Sequence, residues 1–257
     1  MTKFTKILKN LGLKKNDIVF VHSDLSKLSS KNNLIDICED LFNSISEIIG
    51  KDSSLIVPTF TYENFNKNKV FNNIETFSET GIFPEFVRLK TNSKRTNHPL
   101  FSLSGVGKNL DLIFKYINRN STGKGSAFER MLKFNVKILH IDIELVNACT
   151  FLHYIEEQMN VPYRYSKYFD YEIIDEQKKK NTLEYENYVR MTEFYKFPKQ
   201  SKNIQSDLIT NKIMKINKFD KSYFTIVCSE ELNDFFCKKI KKNPFYIYGK
   251  KLNIING

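Results

Sequence analysis

Ile18-Val19-Phe20-Val21, the turn His22-Ser23-Asp24-Leu25-Ser26, Leu34 to Ile49, and Leu55-Ile56-Val57-Pro58 decide the fold class. The first is a short apolar, β-rich run, read as a buried strand that discharges into a polar turn. Apolar residues at 34, 37, 41, 45 and 48 then recur at helical spacing, and Gly50 closes the helix. Leu55-Ile56-Val57 is a second buried strand, stopped by Pro58. Strand, helix, strand with uninterrupted apolar strands points to a parallel core sheet. Val136 to Ile143 (VKILHIDI) supplies a third strong strand. The expected class is α/β, a central mixed, partly parallel sheet flanked by helices, with a smaller C-terminal lobe.

Working outward, Phe4, Ile7, Leu8 and Leu11 have helical spacing, with Gly12 as the residue past the helix end. Tyr62 to Thr80 is an Asn-rich, aromatic loop of a length usually kept for function. Phe83 to Leu89, Leu110 to Ile117 and Asn147 to Met159 are expected helices, and Ser126-x-x-Glu129 is a capping box. Further on, Tyr171 to Ile174 and Tyr223 to Val227 are expected strands. Thr182 to Phe197 and Ser206 to Ile216 are expected helices, and Ser229 is expected to cap a last one running to Lys242. No repeat and no Gly/Ser/Pro linker divides the chain. A single domain over 1–257 is expected, with a soft subdivision near 165–170 between a core (1–167) and the lobe (168–257).

Within 257 residues, 40 Lys+Arg against 29 Asp+Glu leave a formal charge of +11. Hydrophobic residues at 41% and charged ones at 27% exclude wholesale disorder. No stretch reaches the roughly 18 apolar residues of a membrane helix. The N-terminal MTKFTKILKNLG lacks a secretory layout, so a soluble, cytoplasmic protein without membrane partners is expected. Cys38, Cys149, Cys228 and Cys237 are scattered without a C-x-x-C pair, and no metal site is expected. The lysines are dispersed rather than gathered into a face, which argues against nucleic acid and suits a solvated basic surface or an anionic ligand.

Phosphate fingerprints fail: Gly105-x-Gly107 follows no expected strand, and Ser121 to Ser126 has a P-loop's ingredients in the wrong order. The four histidines are more informative. His140 lies inside the third strand and is expected to be packed there. His22 and His153 stand just beyond the C-terminal ends of expected parallel strands, the edge where open α/β sheets bind ligands. Glu156 and Glu157 follow His153 by three and four residues, so either carboxylate can orient the imidazole as a general base or make a surface ion pair. Cys149, four residues before His153, is either a thiolate nucleophile or a packing residue.

Six blocks in order then resemble the aminoglycoside 3-N-acetyltransferase (antibiotic N-acetyltransferase) family. They are Val21 to Leu28; Val57 to Tyr62; Thr80 to Glu85; Arg95 to Pro99 with Ser102 and Gly107; Gly125 to Phe128; and Thr150 to Glu156 followed by Val161 to Arg164. The resemblance implies acetyl transfer from acetyl-coenzyme A to a primary amine of an amino sugar by direct attack. It also implies His153 as the base; Glu156 is expected to support it, with a carboxylate from the C-terminal lobe as the alternative partner. Around the coenzyme it implies His22, Ser23, Asp24, Leu25, Ser26, Thr59, His98, Ser102 and Ser126. A homodimer is a possibility the sequence leaves open. One departure concerns the acceptor. Enzymes acting on polycationic antibiotics suit an acidic cleft, whereas this chain is basic and 62–80 holds three acidic residues, Glu63, Glu75 and Glu79. The expected acceptor is therefore an amino sugar on an anionic carrier, such as a nucleotide-linked sugar for surface polysaccharide. An aminoglycoside is the alternative, and a non-catalytic nucleotide- or RNA-binding protein the reading from another class.

Overall fold

Every second residue of the central strands faces the same side, and that alternation builds the molecule. A computed structural model describes residues 3–28, 33–63, 67, 70–115, 117–175, 177–199, 203–249 and 251–255. The N-terminal half contains α1 (Lys3–Asn10), β1 (Val19–Ser23), α2 (Leu34–Ile49), β2 (Ser54–Pro58), β3 (Phe71–Asn72), α3 (Ile82–Arg88), β4 (Lys94–Arg95), β5 (Leu103–Gly107) and α4 (Leu110–Phe114). The middle contains α5 (Ala127–Lys133), β6 (Lys137–Ile141), α6 (Leu145–Ala148), α7 (Phe151–Gln158), β7 (Arg164–Ile174) and β8 (Lys180–Arg190). The remainder contains β9 (Tyr195–Lys196), α8 (Asn203–Thr210), β10 (Lys215–Phe219), β11 (Ser222–Cys228), α9 (Ser229–Lys242) and β12 (Asn253–Ile254).

Among the described residues, seven strands form the main sheet in the order β10-β11-β6-β1-β2-β5-β4. Its centre, β6-β1-β2, is parallel, with Phe20 level with Ile138 on one side and Ile56 on the other. β11 and β5 flank that centre antiparallel. Val19, Val21, Leu55, Val57, Leu139 and Ile141 enter one core with Phe4 and Leu8 of α1, Leu41 and Ile45 of α2, and Phe83 of α3. Phe20, Ile56 and Ile138 face the opposite core, closed by Phe128 of α5, Ile155 of α7 and Phe236 of α9. Burying each such side chain fully stabilises the fold by roughly 1.5–3 kcal/mol before entropy is subtracted. The mixed α/β sheet between helices is the expected class.

The C-terminal third departs from its sequence reading. Thr182 to Phe197 is not a helix. Most of it is β8, which pairs antiparallel with β7 along its whole length and, with β3, forms a smaller sheet over Phe71, Tyr171, Ile173 and Tyr185. Leu183, Tyr185, Asn187 and Val189 alternate along β8 with Glu184, Glu186 and Tyr188, a period of two that suits a strand. The expected helix at Ser206 to Ile216 ends at Thr210, and Lys215 and Ile216 open β10. Ser229 does not cap the last helix: it is the first helical residue, and its hydroxyl donates to the Met131 carbonyl at 2.9 Å. The point 165–170 falls inside β7, and β11 rejoins the main sheet beside β6. Residues 64–66, 68 and 69 of the expected Tyr62–Thr80 loop lie outside the described residues, and its later part contributes β3.

Candidate active site

β1, β2 and β6 run parallel, so their C-terminal ends meet at one edge of the sheet, and the connections that follow them leave from it. After β1 the chain makes the His22–Ser26 turn. Asp24 N–H donates to the Ile141 carbonyl at 2.9 Å, and the Asp24 carboxylate accepts the Ser26 N–H at 3.0 Å. That hydrogen bond to the Ser26 backbone holds the Asp24 carboxyl below its usual range. After β6 the chain passes through α6, turns at Cys149-Thr150 and enters α7. The expected continuous helix from Asn147 to Met159 is thus two helices with a corner between them. The corner brings His153, on the first turns of α7, over the sheet edge.

His153 Nδ1 lies 2.8 Å from Glu156 Oε2. Glu156 is buried, and its other oxygen accepts from the Tyr163 hydroxyl at 2.9 Å. Arg164 Nη2 approaches Glu156 Oε2 at 3.0 Å and His153 Nδ1 at 3.2 Å. Burial alone would raise the Glu156 pKa, but the Arg164 guanidinium, His153 and Tyr163 outweigh it and hold the carboxyl at about 2. Burial and the Arg164 charge push the His153 imidazole below its ordinary value, against the pull of Glu156. The ring is therefore neutral near pH 7, with its Nδ1–H donated to the carboxylate and its Nε2 lone pair on the opposite edge. Tyr163 is itself caged by Phe245 and Tyr248, at 5.5 and 5.3 Å between ring centroids. A neutral imidazole with a fixed tautomer can accept a proton.

His153 lines a cleft of about 170 Å³ together with Tyr62, Phe101, Thr150, Arg164 and Arg190. Tyr62, Asn147 and Ala148 belong equally to a middle recess of about 240 Å³ that reaches His22, Pro58 and Thr80. Ser23 and Ile143 are shared between that recess and an outer one of about 380 Å³, bordered by Asp24, Leu25, Ser26 and Gly81. The shared wall residues set the three side by side in a row along the sheet edge, here called the groove, from the His22–Ser26 turn to His153. Gly81 adopts φ +109°, a conformation that favours glycine, as the chain enters α3 at the outer end.

His22, Ser23, Asp24, Leu25 and Ser26 thus border the groove that ends at His153 and Glu156. Thr59, His98, Ser102 and Ser126 border none of its three parts. Thr59 and Ser102 are buried and share a hydroxyl contact of 3.2 Å, and Arg95 donates to the Thr59 carbonyl at 2.8 Å and the Ser102 hydroxyl at 3.1 Å. His98 Nδ1 accepts the backbone N–H groups of Leu100 and Phe101 at 3.2 and 2.9 Å, which shapes the loop that presents Phe101 to the cleft. Ser126 caps α5, accepting from Glu129 N–H while the Glu129 carboxylate accepts the Gly125 N–H at 2.8 Å. These four hold the walls rather than face the groove. Arg190, Tyr248, Phe101 and Tyr62 were not singled out in the sequence. Arg190 and Tyr248 come from segments remote from His153, and only the aromatic character of Tyr62's loop pointed to a surface of this kind.

The family model described as aminoglycoside 3-N-acetyltransferase matches residues 20–241. A solved structure of AAC-VIa bound to sisomicin aligns over 93% of this chain and 96% of its own, with 16% identity and a TM-score of 0.77. YokD from Bacillus subtilis aligns over 93% and 98%, with 21% identity and a TM-score of 0.75. AAC-IIIb in its binary complex with CoASH aligns over 93% and 95%, with 16% identity and a TM-score of 0.74. At these identities the likeness to solved structures establishes a common fold. No curated protein sequence matches the chain.

Proposed function

Because the chain belongs to the aminoglycoside 3-N-acetyltransferase family, we propose that it acetylates an amine of an aminoglycoside-type amino sugar, using acetyl-coenzyme A. It is an acetyl-CoA-dependent N-acetyltransferase by that membership, and His153 is the proposed base. The observation that carries this reading is the groove, which leads from a turn at the C-terminal end of β1 to an imidazole fixed by a buried carboxylate. An extended thioester arm fits such a channel, with its phosphates at the solvent end near the His22–Ser26 turn. Ser23 is suited to hold the arm, because its buried hydroxyl has no hydrogen-bond partner among the described residues and the residue borders both the middle and the outer recess.

The acceptor amine attacks the thioester carbonyl carbon, a C–N bond forms, and the carbonyl electrons move onto oxygen. His153 takes the proton the nitrogen must shed. Collapse of the tetrahedral intermediate re-forms the carbonyl and breaks the C–S bond. The departing thiolate recovers the proton from the imidazolium. Glu156 stabilises that transient imidazolium and keeps its Nδ1 protonated throughout. Cys149 is needed for none of these steps; burial pushes its thiol up to about 12, far from a ready thiolate.

A second reading of the acceptor rests on one observation. Glu156 is the one carboxylate in the described lining of the His153 cleft, and Arg164 neutralises it, while Arg190 adds a further positive charge. That lining suits an amino sugar carried on an anionic group, such as a nucleotide, better than a polycation. Thiol release from acetyl-coenzyme A decides both questions. Turnover with a panel of aminoglycosides and nucleotide-linked amino sugars, lost in His153→Ala with coenzyme binding kept, supports the chemistry, and the preferred acceptor selects the reading. An undiminished rate in His153→Ala would refute the base assignment.

A further inference from the structure

We propose that His22, His140 and Cys149 form a binding site for a borderline-soft divalent cation, with Zn²⁺ the best match, in the wall of the groove. The three come from β1, β6 and the corner between α6 and α7, so chain spacing hides them. The parallel register sets His22 beside His140, and their rings stack 5.0 Å apart with an interplanar angle of 9°. The corner lowers Cys149 onto the same face of the sheet. One ligand atom from each residue lies within 4.8 Å of the others, and all three residues are buried.

The second observation is polar. His22 Nε2 and both ring nitrogens of His140 are buried without a hydrogen-bond partner among the described residues. So is the hydroxyl of Thr225, which stands opposite His140 in the β11–β6 register. Buried polar atoms in folded proteins are overwhelmingly paired, so two stacked imidazoles with three buried, unpartnered nitrogens among the described residues call for an occupant. A cation supplies one that both rings can bind together.

The donor set selects the ion. Two imidazoles and one thiolate suit Zn²⁺ or its stand-in Co²⁺, whereas Mg²⁺ and Ca²⁺ require oxygen ligands. With metal–nitrogen and metal–sulfur bonds of about 2.0 and 2.3 Å, ligand atoms sit roughly 3.5 Å apart, so side-chain shifts of about 1 Å close the site. Cys149 binds as thiolate, its proton passing to solvent as the S–metal bond forms. His22 borders the middle recess and Cys149 the His153 cleft, so the site lies in the wall between the two. The site is distinct from His153 and Glu156 and does not depend on the acetyl-transfer reading.

The test is titration of the chelator-stripped full chain with Co²⁺ and Zn²⁺, the latter in competition with a chromophoric chelator. One ion per chain is expected, with a thiolate-to-cobalt charge-transfer band in the near ultraviolet. Cys149→Ala removes the band and weakens Zn²⁺ by more than the roughly 10–100-fold cost of losing an outer partner, and His153→Ala leaves both intact. His140→Gln also weakens binding; if either variant fails to fold, the charge-transfer band of the unaltered chain decides alone. Absence of stoichiometric binding, a cobalt complex without the band, or binding abolished by His153→Ala and kept in Cys149→Ala would overturn the proposal.

Discussion

Arg164 Nη2 and Glu156 Oε2 lie 3.0 Å apart, both side chains almost wholly buried, and the same guanidinium nitrogen is 3.2 Å from His153 Nδ1. One carboxylate oxygen therefore serves two cations in turn: a permanent one, and the imidazolium that exists only during proton transfer. This arrangement separates what the ion pair does for the fold from what it does for the base.

Glu156→Gln tests both roles. The amide oxygen can still accept from Tyr163, but an NH₂ group then faces His153 Nδ1 and Arg164, donor against donor. We expect kcat to fall by about 10²-fold or more, with the affinity for the coenzyme largely kept. Chemical denaturation should show a loss of about 3–5 kcal/mol, because Arg164 is left buried and unpaired. A variant of normal stability and normal kcat would remove Glu156 from both roles.

The pH profile follows from the direction of the His153 shift. Burial and Arg164 depress its pKa, so the ring is a free base at neutral pH and becomes protonated only under acid. The acid limb of kcat/KM is expected to have its midpoint below 6.5, the ordinary value for histidine. It should vanish from the residual activity of His153→Ala. A midpoint above 6.5 would mean that Glu156 dominates the ring's electrostatics and Arg164 does not.

Arg190 is the clearest handle on the acceptor. It reaches the cleft from the end of β8, with its guanidinium 5.4 Å from the Phe197 ring centroid. Arg190→Glu should raise the ratio of kcat/KM for an aminoglycoside over a nucleotide-linked amino sugar by about tenfold, or ~1.4 kcal/mol. A ratio that does not move would place the acceptor away from this side chain.

His98 predicts an acid-sensitive fold. Burial lowers its pKa to about 3, and its Nδ1 is occupied as an acceptor by two backbone N–H groups. Between pH 6.5 and about 3 the unfolded chain binds a proton here that the folded chain refuses. Stability is therefore present at neutral pH and drains as the pH falls through that window, by up to about 1.4 kcal/mol per pH unit. His98→Asn, whose side-chain oxygen can replace Nδ1 as acceptor, should flatten the dependence by one proton in urea unfolding at pH 7 and pH 5. An unchanged slope would assign the acid sensitivity elsewhere.

Local relationships were legible in the sequence and remote ones were not. His153 and Glu156 are three residues apart on one helix, so their pairing can be read from spacing. Arg164 follows a turn later, within a block already noted, yet its role depends on how β7 leaves α7. Arg190 and Tyr248 reach the cleft only because the hairpin and the segment after α9 fold back over it, and no periodicity records that. Thr59, His98, Ser102 and Ser126 show the converse. They belong to recognisable blocks, but a motif preserves wall-building hydrogen bonds as well as ligand contacts. The strand β8 was missed because Asn187 occupies an inward position, which interrupts the apolar alternation that marks a half-buried strand.

The return of β11 to the side of β6 has a consequence for biosynthesis. His153 emerges from the ribosome well before Phe224, which pairs with Ile141, and before Tyr248, which braces Tyr163. Until those late residues arrive, a nascent chain carries the base with Tyr163 unbraced by Tyr248 and with β6 as an open strand at the edge of the sheet. Premature termination after residue 170 or so should therefore yield an inert, sticky fragment and not a weakened enzyme.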